Sequence, residues 1–322
     1  MRQDDHGIPP VTASNQGATA AAMGAPASRY GATRPILGVS LAVLSVTVLS
    51  GMDASAKWMI GVGVPVLLLV WMRYVVHLAL VLMLVLPTRG RRILRSGCVS
   101  GQIMRGATML GGTLAFFTVL RYLPQAEATA INFLAPLLVL VIAPWALRER
   151  PRLSRWIAAG TGFAGVLIIV RPNTDLDPIG VVYGLIGASC FALQYIATRR
   201  VAVDDSFTTM IWSGAMGAIG LTFVLPFVLP SALPTLAALS PGQWALMFSL
   251  GFWGAIGHLL QITAFQKAPA SLLAPFGYMQ IVSAAGLGWL VWGHFPDALT
   301  WLGIGIICAS GIVIGIIEWR RR

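Results

Sequence analysis

Charge is scarce in this chain. Asp, Glu, Lys and Arg make up 10% of its 322 residues, against about 25% in soluble domains. Acid is scarcer still, because 11 Asp and Glu stand against 22 Lys and Arg, a formal net charge of +11. That balance would suit a nucleic-acid partner if the basic residues formed one continuous face. They fall instead in short clusters between apolar runs, so no nucleic acid is expected. Cysteine is nearly absent. Cys98, Cys190 and Cys308 have no CxxC spacing, which argues against a disulfide framework and a zinc site. The HExxH, GxSxG and phosphate-loop signatures are missing as well. Neither a catalytic set, nor a metal, nor a cofactor is expected.

What is plentiful is apolar sequence. Hydrophobic residues are 57% of the chain and the mean hydropathy is +0.79. Apolar runs of about 20 residues, each long enough to cross some 30 Å of hydrocarbon, recur from Pro35 onward. Pro and Gly at their junctions divide them into ten spans: 36–58, 64–86, 102–123, 126–146, 154–171, 179–199, 208–230, 244–265, 271–292 and 299–318. Residues 1–34, rich in Ala, Gly, Ser, Thr and Pro, read as a disordered tail. They lack the apolar core of a signal peptide.

The chain also repeats itself. An offset of 145 carries Leu114 onto Leu259, Thr118 onto Thr263, Pro124 onto Pro269, Trp156 onto Trp301 and Gly160 onto Gly305. The same offset places Arg148, Arg150, Arg152 and Arg155 on Gly293, Phe295, Asp297 and Thr300. A loop that keeps its scaffold but loses its arginines has changed sides of the bilayer. Five spans per copy require that inversion. The expected fold is therefore an all-α polytopic membrane protein of ten transmembrane helices, arranged as two inverted five-helix repeats over 36–171 and 178–319. Arginines gather after spans two, four and six and at Arg320–Arg322, which places both termini in the cytoplasm and the chain in the inner membrane.

LPQAEATAINFLAPLL followed by ALRERPRLSRWIAAGTGFAGVLIIVRP resembles the EamA family of the drug/metabolite transporter superfamily. The shared features are a Pro-led fourth helix, a Leu-x-Glu loop at Glu149 and a Gly-rich fifth helix, and the resemblance spans nearly everything after residue 35. DASAKW, MRY, APFGYMQIV and HFPD are most similar to its S-adenosylmethionine uptake subgroup. The resemblance implies carriage of a small metabolite, such as an amino acid or derivative.

Ionisable side chains at bilayer depth cost about 2.5–3.5 kcal/mol on insertion scales, so each needs a partner or a wet cavity. Asp53 and Lys57 share one face of span one, four residues apart. Arg73 on span two can reach Asp53, leaving Lys57 for Glu127 at the start of span four. Arg73, Asp53, Asn132, Tyr278 and Gln280 are the candidate substrate-binding residues, with Arg73 taking an anionic group. Lys57, Glu127, His77, His258 and Gln261 form a candidate supporting cluster. The plainer reading is a set of buried pairs that only fixes helix packing, and Asp53 has a further reading as a proton carrier. Arg105, near the start of span three, is expected to snorkel to headgroups. Gly111, Gly112, Gly160, Gly162 and Gly165 are expected to permit close helix approach.

The partners implied are a small-molecule metabolite and the lipid bilayer, with a homodimer left open. With no ATP site, movement must draw on a gradient. The function expected is secondary transport by alternating access. The competing class is an integral-membrane enzyme acting on a lipid-linked substrate, and a non-transporting scaffold is a third.

Overall fold

The structure is a computed structural model that describes residues 35–146, 153–171, 176–268, 273 and 276–320. The expected tail over 1–34 and the Arg148–Arg152 stretch lie outside the described residues. Among those described, twelve α-helices and a 3-10 turn (Arg91–Leu94) are present, with no strand. The helices are α1 (Pro35–Gly61), α2 (Val66–Arg89), α3 (Val99–Tyr122), α4 (Gln125–Asn132), α5 (Leu134–Ala146) and α6 (Leu153–Ile169). They continue as α7 (Pro178–Arg200), α8 (Ser206–Thr222), α9 (Leu225–Ala237), α10 (Pro241–Lys267), α11 (Met279–Trp292) and α12 (Ala298–Arg320).

Six spans, α1, α2, α3, Gln125–Ile142, α7 and α10, are long and apolar enough to cross a membrane, and α8 with α9 makes a seventh if that bent pair is one span. Shorter apolar helices occupy Trp156–Ile169, Met279–Trp292 and Ala298–Ile314. Large apolar side chains such as Leu84, Trp145, Phe163, Leu193 and Leu290 face outward. Water does not tolerate such a surface; acyl chains do. This is a multi-pass membrane protein.

Two expected spans are interrupted by proline, and a third, 271–292, breaks at Tyr278 before Met279. Pro136 has no N–H for the carbonyl of Asn132 and its ring crowds that carbonyl, so α4 stops there and α5 restarts after Phe133. Pro226 stands in the same relation to Thr222. There α8 ends, and the chain turns 78° into the Pro-rich α9. The single span expected over 208–230 is thus two helices at a steep angle, because an apolar run records hydropathy but not direction.

Helix pairing is specific. α1 packs on α10 and α11, α3 on α7, α5 on α7, α2 on α8 and α10, and α6 on α12. The α6–α12 contact is antiparallel, since Arg171 pairs with Asp297 while Gly165 faces Gly303. A Cβ on Gly303 would lie 2.6 Å from the Gly165 carbonyl oxygen, so only glycine permits this approach. Gly112 and Gly162 are likewise filled by Phe191 and by Leu137. Gly160 is not: its Cβ position meets nothing within 4 Å, so the close approach expected at that glycine is absent. Polar side chains add interhelical links, such as Ser45 Oγ donating to the Gly257 carbonyl at 2.7 Å between α1 and α10.

Candidate functional site

A cavity of about 390 Å³ runs from the middle of the bundle to the α7–α8 loop. Its closed end is formed by Asp53 on α1, Arg73 and His77 on α2, Asn132 at the α4 break and Gln280 on α11. His258 and Gln261 of α10 also line it. Its mouth includes Ala202, Asp204 and Ser206. Seven of the residues singled out in the sequence therefore meet around one space, although they come from five helices.

Arg73 is the centre of this wall. It is 7% exposed. Its Nε donates to Met52 Sδ at 3.2 Å and its Nη1 to Thr113 Oγ1 at 3.1 Å. The Tyr74 and Phe117 rings lie 5.1 and 5.9 Å from its Cζ. Thr113 is fixed in turn by Tyr74 Oη at 3.0 Å and by its own bond to the Met109 carbonyl. The expected Arg73–Asp53 ion pair is not formed. The two groups interact electrostatically, and Asp53, 3% exposed, lines the same wall as Gln280. Depth along a helix put these groups at one level; side-chain direction kept them apart.

Of the residues lining the cavity, Asn132 and His258 each bury a polar atom without a partner, Oδ1 and Nε2. The His77 and His258 rings meet edge-on, 6.0 Å between centroids. Buried polar groups left unsatisfied by the protein mark where another molecule can bond.

Three of the expected residues do not line the cavity. Tyr278 stacks on Phe133, 5.0 Å between centroids, and its hydroxyl presses against Gly311 on α12. Lys57 and Glu127 lie beyond the closed end. They are close enough to interact electrostatically, yet the expected pairing gives way to separate bonds. Lys57 Nζ donates to the Leu120 and Leu123 carbonyls at 2.8 and 2.6 Å, satisfying orphan acceptors at the end of α3, and it sits 5.7 Å from the Trp292 ring centroid. Glu127 Oε1 pairs with His294 Nε2 at 3.1 Å. Gln125 Nε2 donates to the Ser50 carbonyl at 2.8 Å. These bonds join α1 and the α11–α12 loop to α3 and α4, and they seal that end.

Arg105 corrects another expectation. It does not leave for the headgroups: it lines the cavity, with Nε on Thr198 Oγ1 at 2.9 Å and Nη1 on the Ser213 hydroxyl. The polar stripe of Gln194, Tyr195 and Thr198 on α7 lines the cavity too. Its i, i+1, i+4 spacing within an apolar run was the signal available in the sequence.

At the mouth, Asp204 accepts from Gly97 N–H at 2.7 Å, from Gln102 Nε2 at 2.8 Å and from the Ser96 hydroxyl. Burial pushes its carboxyl up, but these side-chain and backbone bonds outweigh that and hold it below the usual carboxylate range. Asp205 beside it caps α8 through Phe207 N–H and pairs with Arg89 at 2.8 Å. The α7–α8 loop is thereby tied to the α2–α3 connection.

A lipid-facing helical bundle around a half-buried, arginine-bearing cavity, closed at one end and open at the other, is the architecture of a membrane transporter. The EamA-like transporter family matches residues 36–171 and again 178–316, and the chain belongs to it. The S-adenosylmethionine uptake transporter of Rickettsia prowazekii (strain Madrid E) is 26% identical over 226 residues, covering 70% of this chain and 74% of that one. A riboflavin transporter of Vibrio cholerae serotype O1 is 27% identical over 264 residues, covering 81% and 85%. A solved crystal structure is similar in fold at a TM-score of 0.59 and 19% identity, covering 89% of this chain and 98% of that chain.

Proposed function

We propose that this protein is a secondary transporter of the inner membrane that carries a small polar or amphipathic metabolite by alternating access. The reading rests on one observation above the others. Arg73 is buried at mid-depth, and among the described residues no carboxylate pairs with it. A buried cation without an ion pair is costly, and an anionic substrate group supplies the missing partner. Asp53, which forms no ion pair with Arg73, is then available to a cationic group. A carboxylate on Arg73 and an ammonium on Asp53 is the polar end of an amino acid or derivative, S-adenosylmethionine among them.

Ten membrane crossings in two inverted halves, 36–171 and 178–319, complete the reading. Under the 145-residue offset, α1–α10 exchanges with α3–α7, α2–α10 with α3–α8, and α1–α11 with α5–α7, all of which are contacts of the molecule. α2–α8 and α6–α12 map onto themselves, as pairs on a two-fold axis do. The Asp297 loop sits at the Arg171 end of α6, opposite the end where its counterpart Arg148–Arg155 begins. With arginine-rich loops facing the cytoplasm, both termini and the cavity mouth lie on that side. The bonds of Lys57, Gln125 and Glu127 then close the outer side.

The test is solute flux in proteoliposomes containing the purified full chain, with amino acids and S-adenosylmethionine as probes. Arg73→Ala, inserted and monodisperse, is expected to lose at least about tenfold in uptake. Wild-type flux in that variant removes the anion-binding role. Chemical turnover of a lipid-linked substrate without flux would favour an enzyme instead.

A further inference from the structure

Arg73 is not the only guanidinium in the cavity. Arg105 stands nearer the mouth, bonded to Thr198 and Ser213. Neither partner carries charge, and among the described residues Arg105 forms no ion pair. The two arginines share neighbours. Tyr74 lies under Arg73, 5.1 Å from its Cζ, and also interacts electrostatically with Arg105. His258 faces both guanidiniums, and its Nε2 is a buried atom without a bond.

The acids of the cavity do not balance this wall. Asp204 is committed to Ser96, Gly97 and Gln102. Asp53 forms no ion pair with Arg73 or Arg105. Two guanidiniums thus face one shared space with no counter-ion of their own. Their anchors stand at different levels of α3: Thr113 holds Arg73, while Ser213, which holds Arg105, packs beside Gly106, about 10 Å of helix rise away, so one carboxylate does not span both.

We propose that the substrate carries two anionic groups, one on Arg73 and the second on Arg105, and that Arg105 is the residue that selects dianions over monoanions. The inference rests on the Arg73 reading above and adds to it. Planar guanidinium forks suit carboxylate and phosphate oxygens alike, so dicarboxylates and phosphorylated amines form the class. His258 Nε2, an unbonded atom of a residue lining the same cavity, offers a further bond to such a ligand. S-adenosylmethionine has a carboxylate for Arg73 but nothing anionic for Arg105.

The experiment compares each dianion with a near-isostere lacking one charge: glutamate with glutamine, O-phosphoserine with serine, succinate with succinamate. S-adenosylmethionine is the comparator from outside the class. Thermal stabilisation of the detergent-purified full chain gives binding, and proteoliposome uptake gives transport. At least one dianion is expected to be favoured over its isostere by about tenfold. Arg105→Gln should erase that preference, and Arg105→Lys, which preserves the charge, should retain it in part. Three results overturn the proposal: no dianion preferred by the wild-type protein, S-adenosylmethionine outcompeting every dianion, or preference surviving in Arg105→Gln. Should Arg105→Gln not fold, Arg105→Lys losing all preference while folded would overturn it too. The parent reading fails separately, if Arg73→Gln carries the singly charged probes as well as wild type does.

Discussion

Arg73, Asp53 and Arg105 show what burial does to a charged side chain that the fold declines to pair. The arginines are held by neutral groups, a thioether and hydroxyls, and Asp53 lies buried without an ion pair. Such bonds orient an ion without neutralising it, and the field it projects into the cavity stays intact. Asp53→Asn should therefore abolish discrimination in favour of ammonium-bearing solutes while leaving simple carboxylates able to bind, as competition for labelled substrate would reveal. Asp204 behaves differently, because its bonds hold the ionised form. Its folded carboxyl titrates below the unfolded value of about 3.9, so its stabilisation is complete above that value and fades as pH falls through the folded one. Asp204→Asn should melt earlier than wild type at pH 7, by about 1 kcal/mol after allowance for solvent screening. The gap should narrow as the pH falls below that unfolded value. A gap that does not change with pH would contradict the assignment.

Among these residues, seven were legible from sequence because an ion or amide in an apolar run has few places to go. Others were not. Arg105 lies six residues into α3, where a long side chain can either climb to the headgroups or turn inward, and only its hydroxyl partners on α7 and α8 decide which. Tyr278 was placed by depth alone, and depth says nothing about azimuth; its ring turned to Phe133 and α12. Lys57 found carbonyls at a helix end and Glu127 a histidine 167 residues away, neither of which any spacing rule anticipates.

At the scale of the helix, proline and glycine do the positioning. Pro136 breaks the α4–α5 run at Asn132, which leaves that amide facing the cavity with its Oδ1 unbonded. Pro136→Ala is expected to mend the helix, turn Asn132 and lower uptake without lowering the melting temperature; a gain of helicity by circular dichroism would accompany it. Gly303 permits the α6–α12 crossing, so Gly303→Ala should destabilise the protein by about 1–3 kcal/mol and broaden its thermal transition, whereas Gly305→Ala, whose Cβ meets nothing within 4 Å, should be close to neutral. Both prolines were visible in the sequence. Their consequences were misjudged because each sits inside an otherwise unbroken apolar run.

Across the whole molecule, one end is stitched shut and the other is open. Gln125, Lys57 and the Glu127–His294 pair bridge helices that otherwise meet mainly through apolar contacts. Under the proposed orientation and alternating access, Glu127→Gln combined with His294→Ala should loosen those bonds and shift the population toward an outward-open form. A cysteine introduced at Asn132 would then react faster with a membrane-impermeant thiol reagent added from outside, in a background lacking Cys98, Cys190 and Cys308. Unchanged labelling would show that these bonds do not hold the closed end. The family matches twice along the chain, and the reciprocal helix contacts extend that duplication into three dimensions.

Sequence by itself determined the solvent and the elements: apolar runs of membrane length can be satisfied only as helices in lipid, and rare ions within them had to gather somewhere wet. It also carried the duplication, since matched prolines, tryptophans and glycines survive a fixed offset. What only the tertiary structure decided was direction: which way each long side chain turned, where α8 bent away, and which end of the cavity was sealed. Hydropathy is a property of a residue, whereas a side chain's azimuth and its partner are set by neighbours hundreds of positions away.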